Sequence, residues 1–289
     1  MKKKYIVILA GSPRGGDETW NSLYQNVLDP LQADLAIATS RDYVNQNLSL
    51  FQKADFQWIF EDYKDYLGYY SNNYSEKAIN YLNLGKGTGL LESGSIHFIF
   101  KDFILKNYIE ILKNYEYIIY TRFDQFYTDI HIEGKPDKIL IPKGEDYFGV
   151  CDRHAVIPCK FITQYLGICD YIDSTATSRY PSDYLNCETV YFNQLQENGL
   201  SDNIERIDRF QFTASLKKDK TNWRISKYRL YGYKDLYIKY PDEFVASMQN
   251  LLNKKNNNNN NTLYKMSRLS CNYYYICLRR FLGGLVNKR

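Results

Sequence analysis

Four stretches of the sequence hold side chains able to do chemistry. In EYIIYTRFDQFYTDIH an apolar run ends in charge. Arg122 and Asp124 stand where a buried strand would leave the interior, with Tyr127 and His131 behind them. An unpaired charge at such a place is costly, so each needs a partner. A carboxylate at a strand exit can hold a divalent cation, Mn²⁺ or Mg²⁺, that bridges a nucleotide diphosphate. An arginine there can take a phosphate directly through its forked donors. A purely structural ion pair would satisfy the same two charges.

The second stretch is GEDYFGVCDRH, with Glu145, Asp146, Gly149, Asp152, Arg153 and His154. Gly149 lets backbone come close to a ligand. Asp152 and His154, read as loop residues after a strand, can bind hydroxyls or accept a proton. An ion-pair knot that satisfies only itself is the alternative. In the third stretch Glu188 opens a helix after a polar loop, where the helix dipole favours a carboxylate in any case. The fourth is GSPRGG, whose amides, from Gly11 onward, and whose Arg14 can hold nucleotide phosphates. GSPR after a first strand also resembles the flavin-phosphate loop of flavodoxin-like FMN reductases. The chain is too long for that class and lacks its repeat of short βα units. GKGTG at 85–89 follows no strand and reads as a flexible loop.

The elements that must position these residues follow from periodicity. KYIVILAG reads as a buried strand, GSPRGGDETW as a loop, NSLYQNVLDPL as a helix and DLAIAT as a second strand. Residues 41–95 are polar and rich in Tyr. SIHFIFKDFILKNYIEILKNY has helical apolar spacing. EYIIYTRFD and KILIP are further strands, and DYFGVCDRHAVIP a strand and loop. TVYFNQLQENGL is a helix capped near Asn186 and stopped at Gly199. RFQFTASLKKD and NWRISKYRLYGYK look β-like, and PDEFVASMQNLLNKK is a last helix. Strands alternating with helices predict a mainly parallel α/β sheet flanked by helices, with ligands beyond the strands' carboxyl ends.

With 289 residues, 44% of them hydrophobic, the chain can bury a core as one large or two modest domains. The 29 tyrosines suit wet clefts, where a ring packs while its hydroxyl keeps a partner. The net charge of +4 is uneven: eight Lys and Arg and no acid follow Glu243, so residues 1–243 carry −4. A body of that sign is no nucleic-acid platform. The basic, aromatic tail suits peripheral contact with a membrane, a solvated appendage, or a segment folded back on the body. The six cysteines contain no CxxC pair and read as free thiols of a reducing compartment rather than a zinc site. MKKKYIVILAG mimics a signal peptide, but its apolar run is short and GSPRGG is no cleavage site, so a first strand in a non-secreted chain is expected.

Taken in order, YTRFDQFYTDIH, IPKGEDYFGVCDRHAV and YLNCETVYFNQLQENGL resemble a group of GT-A-type glycosyltransferases of large DNA viruses and surface-polysaccharide biosynthesis. The upstream GTGLLESGSIHFIFKDFIL and downstream DKTNWR share the resemblance, which spans roughly residues 5–245. It implies a Rossmann-like GT-A domain over 1–250, followed by an Asn-rich linker at 251–262 and the tail at 263–289. The implied activity is transfer of a hexose or pentose from a nucleotide-diphosphate sugar to a glycan or other hydroxyl, in the cytoplasm (the host's for a viral member). Asp124 then falls at the metal and diphosphate contact, with Gly11, Arg14 and Arg122 for the nucleotide. Tyr127, His131, Asp146, Gly149, Arg153 and His154 are left for the sugar and acceptor. Such enzymes usually carry Asp-x-Asp; here Arg122 takes the first position. Asp152, slightly ahead of Glu188, is the expected base that deprotonates the acceptor opposite the leaving diphosphate. A flavin reductase and a non-catalytic glycan-binding module are the competing classes.

Overall fold

Strand β1 (Lys3–Ala10) is buried from Tyr5 onward, as expected of a strand covered on both faces. Around it lie β2 (Asp34–Ser40), β3 (Phe56–Phe60), β4 (Tyr115–Thr121), β5 (Gln125–Tyr127), β6 (Ile139–Pro142), β7 (His154–Pro158), β8 (Ile204–Ile207), β9 (Gln211–Leu216) and β10 (Leu236–Ile238). The computed structural model describes residues 3–61, 65–179, 184–219, 228–256 and 263–286. It has two units. Unit 1 is Met1–Ser12, Leu31–Arg122 and Glu133–Ile207; unit 2 is Pro13–Pro30, Phe123–Ile132 and Asp208–Arg289.

Unit 1 holds a seven-stranded sheet in the order β3-β2-β1-β4-β7-β6-β8. Only β7 runs against its neighbours; the other pairings are parallel. This is the α/β, mainly parallel sheet flanked by helices that the sequence predicts. The helix Ser95–Leu112 packs on β1, β3 and β4 and buries Phe98, Ile99, Phe100 and Ile104. Chain order reverses between β1 and β4, the place where such sheets open a crevice. The register sets Leu9 beside Thr121 and Thr121 beside His154. The residues that follow β1 and β4, and those that precede β7, therefore leave the sheet at one end.

Unit 2 holds the antiparallel sheet β10-β9-β5. Its core is Phe126, Phe212, Ala214, Leu236, Ile238, Phe244 and Met248, closed by Leu269 and Ile276 of the helix Leu263–Val286. The tail thus folds back, on one face, and Asn272 exchanges two hydrogen bonds with the backbone of Tyr231, at 2.8 and 3.0 Å. The fully buried pair Arg209–Glu243, 2.9 Å apart, ties the helix Pro241–Asn256 to the same sheet, because Glu243 also accepts from the Thr213 amide.

Several local expectations need correction. GDETW is helix, Gly16–Leu23, not loop, because Gly15 and Gly16 adopt the left-handed turn that starts it. The polar stretch 41–95 hides β3 and the helices Tyr66–Asn73 and Glu76–Leu84, whose buried faces are partly tyrosine. Strand β8 was invisible as a short mixed sequence, IERI. His154 is not a loop residue but the first residue of β7. The TNWRISK segment, and the Asn run from 257 onward, lie outside the described residues. Among the described residues no helix is long and apolar enough to cross a membrane.

Candidate active site

At the sheet end of unit 1 the chain collects charge. Arg122 follows β4, Asp152 and Arg153 precede β7, Glu188 lies in the first turn of the helix Cys187–Glu197, and His97 and Lys101 lie one turn apart on Ser95–Leu112. Asp152 is held below the usual carboxylate range. Burial works against its charge, but Arg153, His97, Arg122 and Lys101 together more than offset that. Glu188 goes the other way: burial, then the negative charge of Asp152, pushes it up to about 8 although Arg153 pulls it down. Two carboxylates in one cluster with opposite proton affinities are the arrangement that separates acid from base. Arg122, one half of the R-x-D pattern, thus finds its partner within unit 1.

Glu188 is not the helix cap. The Asn186 side-chain oxygen accepts from the Thr189 amide at 2.8 Å, and the Thr189 hydroxyl accepts from the Asn186 amide at 3.0 Å. This is a reciprocal capping box and the cap that the sequence predicts. The Glu188 carboxylate is therefore available for another role.

Lys101 is buried and its pKa falls to about 7, because burial outweighs the pull of Asp152. Its Nζ lies 3.6 Å from the ring centre of Tyr191, 4.7 Å from Tyr165 and 5.4 Å from Tyr120. The hydroxyls of these three tyrosines are buried and make no hydrogen bond among the described residues. The faces of the rings, not their hydroxyls, hold the amine. The sequence reading passed over His97 and Lys101. Their signal was a pair of basic side chains four apart in an otherwise apolar helical run.

Gly11, Asp146, Gly149, Arg153 and His154 also belong to unit 1. Gly11 is left-handed, with φ of 109°, and its carbonyl accepts from Thr39 Oγ1 at 2.7 Å. Asp146 pairs with Arg206 at 2.6 Å. Arg153 donates to the Glu145 carbonyl at 3.2 Å. His154 is fully buried with Nδ1 3.1 Å from Thr121 Oγ1. A Cβ on Gly149 would stand 1.9 Å from the Glu188 carbonyl oxygen, so the close approach it permits is to this helix end.

In unit 2, Asp124 and Tyr127 are buried. The Asp124 carbonyl accepts from Ala214, and Tyr127 is bound through its backbone by Ser22 and Asn26. His131 lies edge-on to Phe210 with Nδ1 at the Ile132 carbonyl, and burial lowers its pKa to about 4. It is an uncharged interior histidine. Arg14 gives its carbonyl to the Trp20 indole at 3.0 Å. The helix start after GSPRGG already has an acidic partner: the Asp219 carboxylate accepts from Gly15 at 3.1 Å, and Asp17 and Glu18 follow in the first turn. Three acids there repel a phosphate, which counts against a flavin-phosphate cradle.

No family model matches the chain, and no curated protein matches it in sequence. A solved structure does resemble it. The crystal structure of mouse xyloside xylosyltransferase 1, apo form, is similar over 71% of this chain and 85% of that chain, at 10% identity and a TM-score of 0.41.

The cation that the sequence resemblance implies finds no ready cage. Among the described residues no group of three or more His, Cys, Asp or Glu is placed to hold a metal ion.

Proposed function

We propose that the chain is a GT-A-type glycosyltransferase, with its transferase portion over residues 1–250 and a cytoplasmic place of work. It would move a sugar from a nucleotide-diphosphate sugar to a hydroxyl of a glycan or similar acceptor. The observation that supports this reading is the Asp152–Glu188 pair at the carboxyl ends of β1 and β4. A general base works best with a pKa near the working pH. Glu188, pushed up to about 8, meets that condition; Asp152, held down by Arg153, His97, Arg122 and Lys101, does not. The environments favour Glu188 over Asp152 as the base, the reverse of the order suggested by position alone. Ionised Glu188 takes the proton of the acceptor hydroxyl. The oxygen bonds to the anomeric carbon while the bond from that carbon to the diphosphate breaks, and its electron pair leaves with the diphosphate. Asp152 keeps Glu188 basic, and Arg122 offers a fixed positive charge to the leaving group.

Asp124 is proposed as the contact for the donor diphosphate and its Mn²⁺ or Mg²⁺. With no three-ligand cluster among the described residues, donor phosphate oxygens and water would complete the ion's shell. The test is a thermal-shift panel of nucleotide sugars with and without Mn²⁺, followed by assay of nucleoside diphosphate release with glycan acceptors. Donor-dependent stabilisation and acceptor-dependent release are expected. Sugar binding with no donor binding or release would replace the transferase with a glycan-binding module.

A further inference from the structure

The loop between β6 and β7 carries an unusual backbone. Gly144, Glu145, Tyr147 and Phe148 all have positive φ, of 85°, 54°, 41° and 72°. Three of the four are not glycine, and a left-handed bulky residue persists only where its surroundings enforce it. Those surroundings are the helix end that carries Glu188. The Asn186 side chain donates to the Tyr147 carbonyl at 2.9 Å. The Val150 amide reaches the Glu188 carbonyl at 3.3 Å, and Gly149 closes the turn to Asp146 at 2.7 Å. Gly149 itself lies so close to Glu188 that no side chain fits.

The strained turn buries little. Phe148 is 87% exposed, the most open large apolar side chain among the described residues, and Tyr147 and Tyr184 are 46% and 48% exposed. The Phe148 and Tyr184 rings meet edge to face at 5.9 Å. Core packing explains neither the strain nor the exposure. The strain does hold these rings in fixed register with the Glu188 turn.

We infer that Tyr147, Phe148 and Tyr184 form an acceptor subsite, a platform for the apolar C–H face of a pyranose ring whose edge hydroxyls turn toward Glu188. The inference rests on the transferase reading for its choice of occupant. A sugar ring has one face of C–H bonds and a rim of hydroxyls, so it stacks on an aromatic face and leaves its rim to polar groups. The Tyr147 hydroxyl, bonded to the Glu145 carboxylate, and Glu188 supply them. A nucleobase also stacks on aromatic rings, but the platform is bound to the turn of the proposed base, so it belongs to the side of the acceptor.

Phe148→Ala and Phe148→Gly test this, with Phe148→Trp as the conservative variant. Kinetics should show acceptor KM raised roughly fivefold in the first two, the size of one aromatic contact, with donor KM unchanged and Phe148→Trp near wild type. Phe148→Gly should also melt higher than wild type, since it relaxes a left-handed residue whose side chain buries little. Independently of catalysis, saturation-transfer NMR should show methyl β-glucoside, methyl β-galactoside or methyl α-mannoside receiving magnetisation from wild-type protein and less from Phe148→Ala. Unchanged acceptor KM, a rise in donor KM instead, or no transfer to any of the three glycosides would overturn the subsite. A wild-type protein that binds these sugars through Phe148 but transfers nothing would overturn the transferase reading and leave the subsite standing.

Discussion

Asp152 raises the proton affinity of Glu188, and does so across the gap between the residues before β7 and the first turn of the helix Cys187–Glu197. The two carboxylates divide a single environment. Asp152 is close to Arg153, His97, Arg122 and Lys101, while Glu188 has burial, the Asp152 charge and Arg153's weaker counterpull. The rate should follow the ionisation of Glu188. We expect kcat/KM to climb with pH through an inflection near 8. In Glu188→Gln that limb disappears and transfer falls by roughly 10²–10⁴-fold, the usual contribution of a general base. Asp152→Asn removes the repelling charge, so its remaining activity should show the inflection moved to lower pH. An inflection that stays near 8 in Glu188→Gln would assign the titration to another group.

The same two environments make opposite demands on stability. Glu188 has a folded pKa of about 8 against an ordinary 4.5, so the folded protein holds a proton that the unfolded chain has released. Its contribution is complete at low pH and is lost as pH rises from about 4.5 to 8. Lys101 has a folded pKa of about 7 against 10.5, so there the unfolded chain binds the extra proton. Its burial is unfavourable below about 7 and becomes neutral as pH rises toward 10.5. Each limb has a slope of at most about 1.4 kcal/mol per pH unit. Urea midpoints across pH 5–10 should lose the falling limb in Glu188→Gln and the rising limb in Lys101→Met. Parallel curves for wild type and both variants would remove both residues from the titration.

Gly149→Ala tests the joint between the loop and the helix. The added methyl meets backbone, Glu188 O at 1.9 Å and Thr189 N at 2.6 Å, which cannot swing aside as a side chain can. We expect a loss of about 1–3 kcal/mol, as for overpacked sites, together with reduced transfer, because the Glu188 turn must shift. Gly87→Ala, where nothing lies within 4 Å, should be destabilised only by its positive φ and should leave the Glu188 turn in place. Equal loss of transfer at the two glycines would show that backbone strain, not the joint, matters.

The α/β class, the long helix and the Asn186 cap were legible because each rests on a local pattern: apolar runs for β1 and β4, 3.6-residue spacing for Ser95–Leu112, and an Asn three before a Thr. Asp152, Glu188 and Arg122 were legible as charges at strand or helix ends. Which carboxylate holds the proton was not, since that depends on His97 and Lys101, brought in from a helix about fifty residues upstream of Asp152. The β3 region was hidden by tyrosines, which count as polar in a pattern yet bury their rings; Tyr70 is fully buried. His131 and His154 suggested chemistry by type, and both are buried.

Asp124→Asn should separate the donor step from the proton step. The proposal gives this residue to the cation and diphosphate, so turnover of donor should fall by about 10²–10³-fold, as when a contact to developing charge is lost. The pH inflection near 8 should be unaltered, because burial, Asp152 and Arg153 are what chiefly set the proton affinity of Glu188. Mn²⁺ should bind the wild-type protein appreciably only when nucleoside diphosphate is present, measured by calorimetry with and without the nucleotide. Strong Mn²⁺ binding without nucleotide would contradict the shared shell.

The tail helix Leu263–Val286 should prove part of the fold of unit 2 rather than an appendage. Leu269 and Ile276 are buried in its core and Asn272 satisfies both backbone groups of Tyr231. Arg280 adds an exposed pair with Asp242 at 2.6 Å, which contributes little. Leu269→Ala and Ile276→Ala should each cost about 2–5 kcal/mol, as buried aliphatic truncations do. Leu278→Ala, at a position 57% exposed, should cost almost nothing. The opposite face leaves Tyr274, Leu278 and Arg279 open, and the tail beyond Glu243 carries eight cations and no acid. Co-sedimentation with anionic vesicles should therefore depend on salt, because screening shortens from ~10 Å at 0.1 M to ~3 Å at 1 M. Tyr274→Ala with Leu278→Ala should weaken that binding while leaving the melting temperature alone, whereas Leu269→Ala should do the reverse. If all three changes lower the melting temperature alike, the outer face is packed as well and offers no surface to a membrane.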